Sequence, residues 1–213
     1  MDFNWNPEQL ALKEAVVKFA KNELNLDMIK RDERGEFSRE CWRKCADFGI
    51  MGLPIPKEYG GSGSDILTTT LVMEGMGYAC RDMGLIFSIN AQMWTCQLPI
   101  LAFATEDQKR KYLPQLCRGE FIGGNAVTEP DSGSDAFSQR TKAVRKDDSY
   151  VLNGTKVFST NGSIADILVV FATVDPSKGF MGVTAFLVEK GTPGFGAARE
   201  IEKMGLRTSS FRL

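Results

Sequence analysis

The chain has 213 residues, of which 43% are hydrophobic and 25% charged, ordinary proportions for one large or two small folded domains. Lys and Arg number 26 against 27 Asp and Glu, so no excess positive field draws nucleic acid or an anionic membrane surface. Histidine is absent, which excludes a Ser-His-Asp triad, a Cys-His nucleophile pair and any His-ligated metal within this chain.

The N-terminal MDFNWNPEQ carries no basic leader, no apolar h-region and no Arg- and Ser-rich import signal, so a cytoplasmic location is expected. Asn6 reads as a helix N-cap, with Pro7 at the first helical position and Gln9 completing a capping box. Leu10, Val17, Ala20 and Leu24 are predicted to form the buried stripe of that helix. A second helix is predicted from Ser38 through Trp42, Cys45 and Phe48, stopping at Gly49. Pro54–Gly63 reads as a loop, followed by helices over Ile66–Ala79 and Met83–Phe103, the latter bent near Pro99. No charge occurs between Asp82 and Glu106, but Ser88, Asn90, Gln92, Gln97 and Pro99 interrupt the stretch, which suits a helix buried in a bundle better than a membrane span. Thr105 with Gln108 starts another helix that ends before Gly119.

The five cysteines, Cys41, Cys45, Cys80, Cys96 and Cys117, include no CxxC and are an odd number, as expected for reduced thiols. Cys41 and Cys45 share a helical face, where two thiols without other ligands read as small buried apolar residues, and no metal site is expected.

After Phe121 the apolar runs shorten, β-branched residues rise and turn residues recur, so residues 1–122 read as a helical domain and 123–213 as a β domain. Strands are predicted at Thr141–Arg145, Tyr150–Leu152, Thr155–Phe158, Ile167–Thr173 and Val183–Glu189, with turns at Asp147–Ser149 and Asp175–Gly179. Asn153 and Gly154 suit a type I′ turn joining the second and third of these strands. The glycines at Gly61–Gly63 and Gly191–Gly196 open no helix after a buried strand and have no Walker lysine, so they read as turns rather than nucleotide loops.

Two polar segments stand out. AVTEPDSGSD, from Ala126 to Asp135, gathers Thr128, Glu129, Ser132, Ser134 and Asp135 around Pro130 and Gly133. Pro130 fixes one backbone angle and Gly133 permits a positive φ, so the amides are expected to converge into an anion-binding nest. NGTKVFSTNG, from Asn153 to Gly162, adds a second cluster of hydroxyls just past a strand.

Together these segments resemble the flavin-binding signatures of the acyl-CoA dehydrogenase family, which run close to TEPxxGSD and NGxKxWITNG. The likeness spans nearly the whole chain, including EYGGSG at Glu58–Gly63, EDQKRKYLPQL at Glu106–Leu116 and LVEKGTPGF at Leu187–Phe195. It implies an α+β fold, an all-α N-terminal domain followed by a small antiparallel β-barrel, with FAD as cofactor and α,β-desaturation of an acyl-CoA as the reaction. By the resemblance, the backbone of Val127 and the hydroxyl of Thr128 hold the pyrimidine edge of the isoalloxazine, and Asn125 and Ala126 belong to the same cofactor site. Gly133 and Ser134 meet the pyrophosphate, with Ser134 also near the thioester. Phe158 packs on the ring, and Ser159 and Thr160 reach its edge, Thr160 towards N5. Phe87, Ala91 and Thr95 line the acyl pocket, and the bulk of Phe87 points to a short one.

The family's catalytic base is a glutamate in or just before a C-terminal helical domain, beyond Leu213, so no residue here is assigned as base and the chain alone is expected to be inactive. Glu129 reads as a loop brace. The sequence departs from the family where Phe158 replaces Trp or Tyr and Ser159 replaces Ile or Val, a change that touches the flavin potential. The implied partners are an acyl-CoA substrate, an electron-transfer flavoprotein and, through the C-terminal bundle, a homotetramer. An acyl-CoA oxidase, an enoyl-CoA reductase or a non-catalytic binding module remain alternatives on the same scaffold.

Overall fold

The computed structural model describes residues 4–196 and 201–212. The chain divides into two compact units, one running to Phe121 and including Glu202–Ser209, the other formed by Ile122–Ile201 and the residues from Ser210.

The first unit is helical. In α1 (Pro7–Glu23) the Asn6 side chain accepts from the Gln9 amide at 2.9 Å and the Gln9 side chain accepts from the Asn6 amide at 3.0 Å, the reciprocal capping box read from the sequence. Its buried stripe is Val16, Ala20 and Leu24, all fully enclosed, whereas Leu10 is 43% exposed and Val17 only half-buried. Ala20 and Leu24 thus lie on the predicted face, while Leu10 and Val17 border the stripe and Val16 takes the place on it.

A helix absent from the sequence reading, α2 (Met28–Arg34), begins at Asp27, whose backbone is left-handed (φ 51°) and whose side chain makes no cap. It is held by Arg31, buried against Asp82 and donating to the carbonyls of Leu24 at 3.4 Å and Leu26 at 3.2 Å. Asp82 in turn caps α5 (Met83–Gln92), accepting from the Leu85 amide at 3.0 Å, and takes the Thr208 hydroxyl. Arg207 donates to the carbonyls of Asp32 at 2.9 Å and Glu33 at 3.2 Å, so Glu202–Ser209 is stapled to the helices from both ends of this ion pair.

The third and fourth helices follow the sequence closely: α3 (Arg39–Asp47) is capped by Ser38 on the Cys41 amide, and α4 (Ile66–Ala79) by Asp65 on the Thr68 amide. The predicted helix over Met83–Phe103 is helical throughout, but its middle widens to a π-turn over Met93–Gln97 between α5 and α6 (Leu98–Phe103), just before Pro99, whose missing N–H and bulky ring forbid the ordinary pattern of bonds there. α7 (Glu106–Cys117) opens on the Thr105–Gln108 capping box. No described helix is long and apolar enough to cross a membrane. All five cysteines are free and buried; burial pushes Cys80 and Cys117 up to about 11 and Cys45 well above the usual thiol range.

The second unit contains β1 (Gly123–Ala126), β2 (Lys142–Lys146), β3 (Ser149–Asn153), β4 (Ser159–Thr160), β5 (Ile167–Thr173), β6 (Val183–Glu189) and β7 (Phe211–Arg212). β5 and β6 occupy the predicted ranges. β5, with its apolar run ILVVFAT, is central: it pairs with β1 in parallel (Ala126 opposite Val170) and with β6 antiparallel (Val170 opposite Phe186). β2 joins it by one parallel bridge, Lys142 to Thr173, and carries β3 antiparallel at its other edge. β4 and β7 form a separate antiparallel pair.

The expected antiparallel barrel is thus corrected among the described residues: the main sheet is mixed and does not close, because β1 runs parallel to β5 and β2 meets it at a single bridge. Period-two patterning marks strands but says nothing of which neighbour they choose or in which direction. The predicted turn at Asn153–Gly154 is also absent. β3 pairs back with β2 through a turn at Asp147, where φ is 55°, and Thr155–Phe158 forms no strand. Gly154 is required for another reason: a Cβ there would lie 2.2 Å from the Thr141 hydroxyl.

Candidate functional site

The two polar segments meet in the second unit. β1 runs so close to β4 that a Cβ on Gly124 would lie 2.6 Å from the Thr160 carbonyl, and the Asn161 side chain donates to the Gly123 carbonyl at 2.9 Å. Just beyond β1, the Val157 amide donates to the Thr128 carbonyl at 2.8 Å, and the Lys156 ammonium donates to the Val127 carbonyl at 3.0 Å. Both carbonyls that flank the Thr128 amide are therefore tied to the second segment, one by backbone and one by a cation.

Glu129 closes this junction from below. Its carboxylate accepts from Lys156 at 2.8 Å, from the Thr141 amide at 3.0 Å and from the Arg140 amide at 2.6 Å, with Glu129 and Lys156 side chains only 4% and 10% exposed. Burial by itself favours the protonated acid, but the hydrogen bonds from Lys156, Thr141 and Arg140 outweigh it and hold the carboxyl at about 2. Burial lowers the Lys156 ammonium below its usual range, partly offset by Glu129. The third ammonium proton goes to the Gln139 side-chain oxygen at 2.9 Å. Glu129 is a brace, as the sequence reading holds, and not a group poised to take a proton. Lys156 and Gln139 were missed; the lysine lies inside the quoted motif, but nothing local shows that it is buried or which acceptors surround it.

The nest expected on Gly133 does not form. Gly133 is not at positive φ, and the turn closes instead through paired backbone bonds between Glu129 and Ser132, at 2.9 and 3.2 Å, across Pro130. Asp135 accepts the Ser138 hydroxyl and amide, while Gly133 and Ser134 lie exposed on this turn.

Backbone strain falls on the second segment. Phe158 has φ 57°, the left-handed region that a bulky aromatic rarely enters, at a cost of about 1–3 kcal/mol, and Asn161 has φ 65°, which asparagine adopts more readily. The strain leaves the Phe158 ring 56% exposed beside two strand residues, half-buried Ser159 and buried Thr160. The Ser159 hydroxyl oxygen is buried without a hydrogen-bond partner, a polar atom whose partner the described residues do not supply. An outward aromatic face, an orphaned hydroxyl and a pinned amide suit a flat, hydrogen-bonding heterocycle such as a flavin. Asn125 is half-buried, and the side chain of Ala126 packs into the sheet core with Ala165, Leu168 and Val170, which leaves only its backbone for a ligand.

Phe87, Ala91 and Thr95 lie in the first unit on one face of α5 and the π-turn. Phe87 is 39% exposed, Ala91 and Thr95 are half-buried, and the Thr95 hydroxyl donates to the Ala91 carbonyl. A cleft of about 540 Å³ in the same unit, lined by Lys13, Val17, Lys21, Glu74 and Tyr78, is a solvated groove whose Lys13 and Glu74 already pair at 3.0 Å.

The family description "Acyl-CoA dehydrogenase, N-terminal domain" matches residues 6–120, and "Acyl-CoA dehydrogenase, middle domain" matches residues 124–212. The chain is 41% identical over 210 residues to the short-chain-specific acyl-CoA dehydrogenase of Clostridium acetobutylicum, covering 99% of this chain and 55% of that protein. Among solved structures, the prolyl acyl carrier protein oxidase AnaB is 49% identical with a TM-score of 0.95, over 98% of this chain and 55% of that one. The FAD complex of PigA is 39% identical with a TM-score of 0.95, over 100% of this chain and 55% of that one. The chain thus spans about half the length of the curated relatives it matches.

Proposed function

The chain belongs to the acyl-CoA dehydrogenase family, and from that premise we propose that it binds FAD and serves α,β-desaturation of an acyl thioester. The observation that carries this reading is the junction of the two segments, where the Thr128 amide is pinned from both sides next to an outward-facing, strained Phe158. On this reading the backbone of Asn125, Ala126 and Val127 and the hydroxyl of Thr128 hold the pyrimidine edge of the ring. Gly133 and Ser134 contact the pyrophosphate, Phe158 stacks on the ring, and Ser159 and Thr160 hydrogen-bond its edge.

When bound, FAD supplies the two-electron acceptor for the hydride that leaves the β-carbon. Donors fixed at Val127 and Thr128 stabilise the negative charge that gathers on the pyrimidine side as the ring is reduced. They do so without reorganising, since Lys156 and Val157 already hold them. Ser134 meets the thioester, and Phe87, Ala91 and Thr95 form one wall of the acyl pocket. A compact acyl group is supported by the bulk of Phe87 and by likeness to a short-chain-specific enzyme and a prolyl carrier protein oxidase. Glu129 is not the base that takes the α-proton, since a carboxyl held at about 2 is a weak base and both its oxygens already accept hydrogen bonds. Electrons pass to an electron-transfer flavoprotein; likeness to the carrier protein oxidase favours oxygen as a second acceptor.

The test begins with the absorbance spectrum of the purified full-length protein. Flavin bands supporting dye reduction by a short acyl-CoA or by a prolyl thioester on a carrier protein are expected, with oxygen uptake separating oxidase from dehydrogenase. A colourless protein that takes up no added FAD refutes the reading.

A further inference from the structure

We propose that Lys156 is a positioning residue, whose ammonium orients the Val127–Thr128 peptide so that the Thr128 amide is presented to the bound flavin. The inference rests on the flavin reading above. An ammonium has three donors and no acceptor, and those of Lys156 go to three different groups: the Glu129 carboxylate at 2.8 Å, the Gln139 amide oxygen at 2.9 Å and the Val127 carbonyl at 3.0 Å. The first two belong to a buried polar cluster that any lysine in this place would complete. The third is a main-chain carbonyl of the ligand-facing segment, and nothing in balancing Glu129 requires it.

The geometric consequence is direct. In a trans peptide the C=O and N–H of one unit point in opposite directions, and no cis bond occurs among the described residues. With the Val127 carbonyl drawn to Lys156, the Thr128 N–H points away from the buried pair. The Thr128 carbonyl is fixed in its turn by the Val157 amide at 2.8 Å, so the next peptide unit cannot swing to compensate. The Thr128 amide has no hydrogen-bond partner among the described residues, which leaves it to a ligand. A cation on the carbonyl also polarises the same peptide unit and strengthens its N–H as a donor. Glu129, by contrast, keeps the Arg140 and Thr141 amides whether or not Lys156 is present, so its role is to hold the cluster rather than to aim the amide.

The two roles separate experimentally in the full-length protein, with FAD affinity of the apoprotein and the two-electron potential of the bound flavin as readouts. Lys156→Met is expected to weaken FAD binding about tenfold, the scale of one charge-assisted hydrogen bond. If the reduced ring loses more than the oxidised one by a similar factor, the potential falls by about 30 mV. Lys156→Arg, still a cation within reach of the Val127 carbonyl, is expected to recover most of both. Glu129→Gln is expected to lower the thermal midpoint as far as Lys156→Met does, yet to leave affinity and potential close to wild type, because Lys156 stays on Val127. Should Lys156→Met fail to fold, Lys156→Gln, too short to reach the carbonyl, takes its place under the same criteria. The proposal is overturned if the lysine variants leave the potential unchanged, or if Glu129→Gln shifts it in parallel with them. A wild-type protein that binds no FAD overturns the flavin reading and this inference together.

Discussion

Among the described residues each unit buries one ion pair, and the two pairs are put to different ends. In the helical unit Arg31 meets Asp82, and every further bond around them goes into the fold: the Leu24 and Leu26 carbonyls, the α5 cap on Leu85 and the Thr208 hydroxyl. In the sheet unit Lys156 meets Glu129, and one of the lysine's bonds goes to a carbonyl of the segment that carries the candidate ligand groups. The planar fork of arginine suits a many-handed clamp, while the compact charge of lysine suits fixing one peptide. A buried pair is weak evidence of stability in itself; what it holds in place decides what it is for.

The comparison is broken first at Asp82. Asp82→Ala strands Arg31 and uncaps α5, and is expected to cost about 3–5 kcal/mol in urea denaturation. Much less would mean that the clamp is not integral to the helical unit. The next effect is in pH. Glu129 is held at about 2, below its unfolded value, so its contribution is fully present above the unfolded pKa and is lost as pH falls through the folded one. Stability is expected to drop by roughly 2–3 kcal/mol between about pH 5 and pH 2 on this account. Glu129→Gln should flatten that part of the stability curve. Smaller still is Phe158→Gly, which releases the left-handed backbone and is expected to raise stability by about 1 kcal/mol while weakening flavin binding; a loss of stability would show that the ring packs rather than presents itself. Last, Thr105→Ala removes one hydroxyl cap from α7 and should cost about 1 kcal/mol with no effect on the flavin.

What could be read from the sequence follows how local the cause is. The capping boxes at Asn6 and Thr105 lie within four residues, and both helices start where those residues place them. The helix Met28–Arg34 could not be read, because its anchor, Arg31, answers to Asp82 fifty-one residues away and its first turn has no side-chain cap. β5 and β6 were legible from their β-branched runs, but the parallel pairing of β1 with β5 was not, since alternation carries no direction. At the site, the approach of the two motifs was legible only through their likeness to the family's flavin-binding signatures, since a polar, turn-rich composition describes two separate loops equally well. The positive φ expected at Gly133, where glycine makes it easy, falls instead on Phe158, where it must be imposed by surrounding structure.

The burial of the thiols turns the protein into its own reporter. Every cysteine lies between positions 41 and 117, inside the helical unit, shielded from solvent and, for Cys45, Cys80 and Cys117, biased away from the reactive thiolate. An alkylating reagent mixed with native protein therefore scores breathing of the helices alone and is blind to excursions of the sheet.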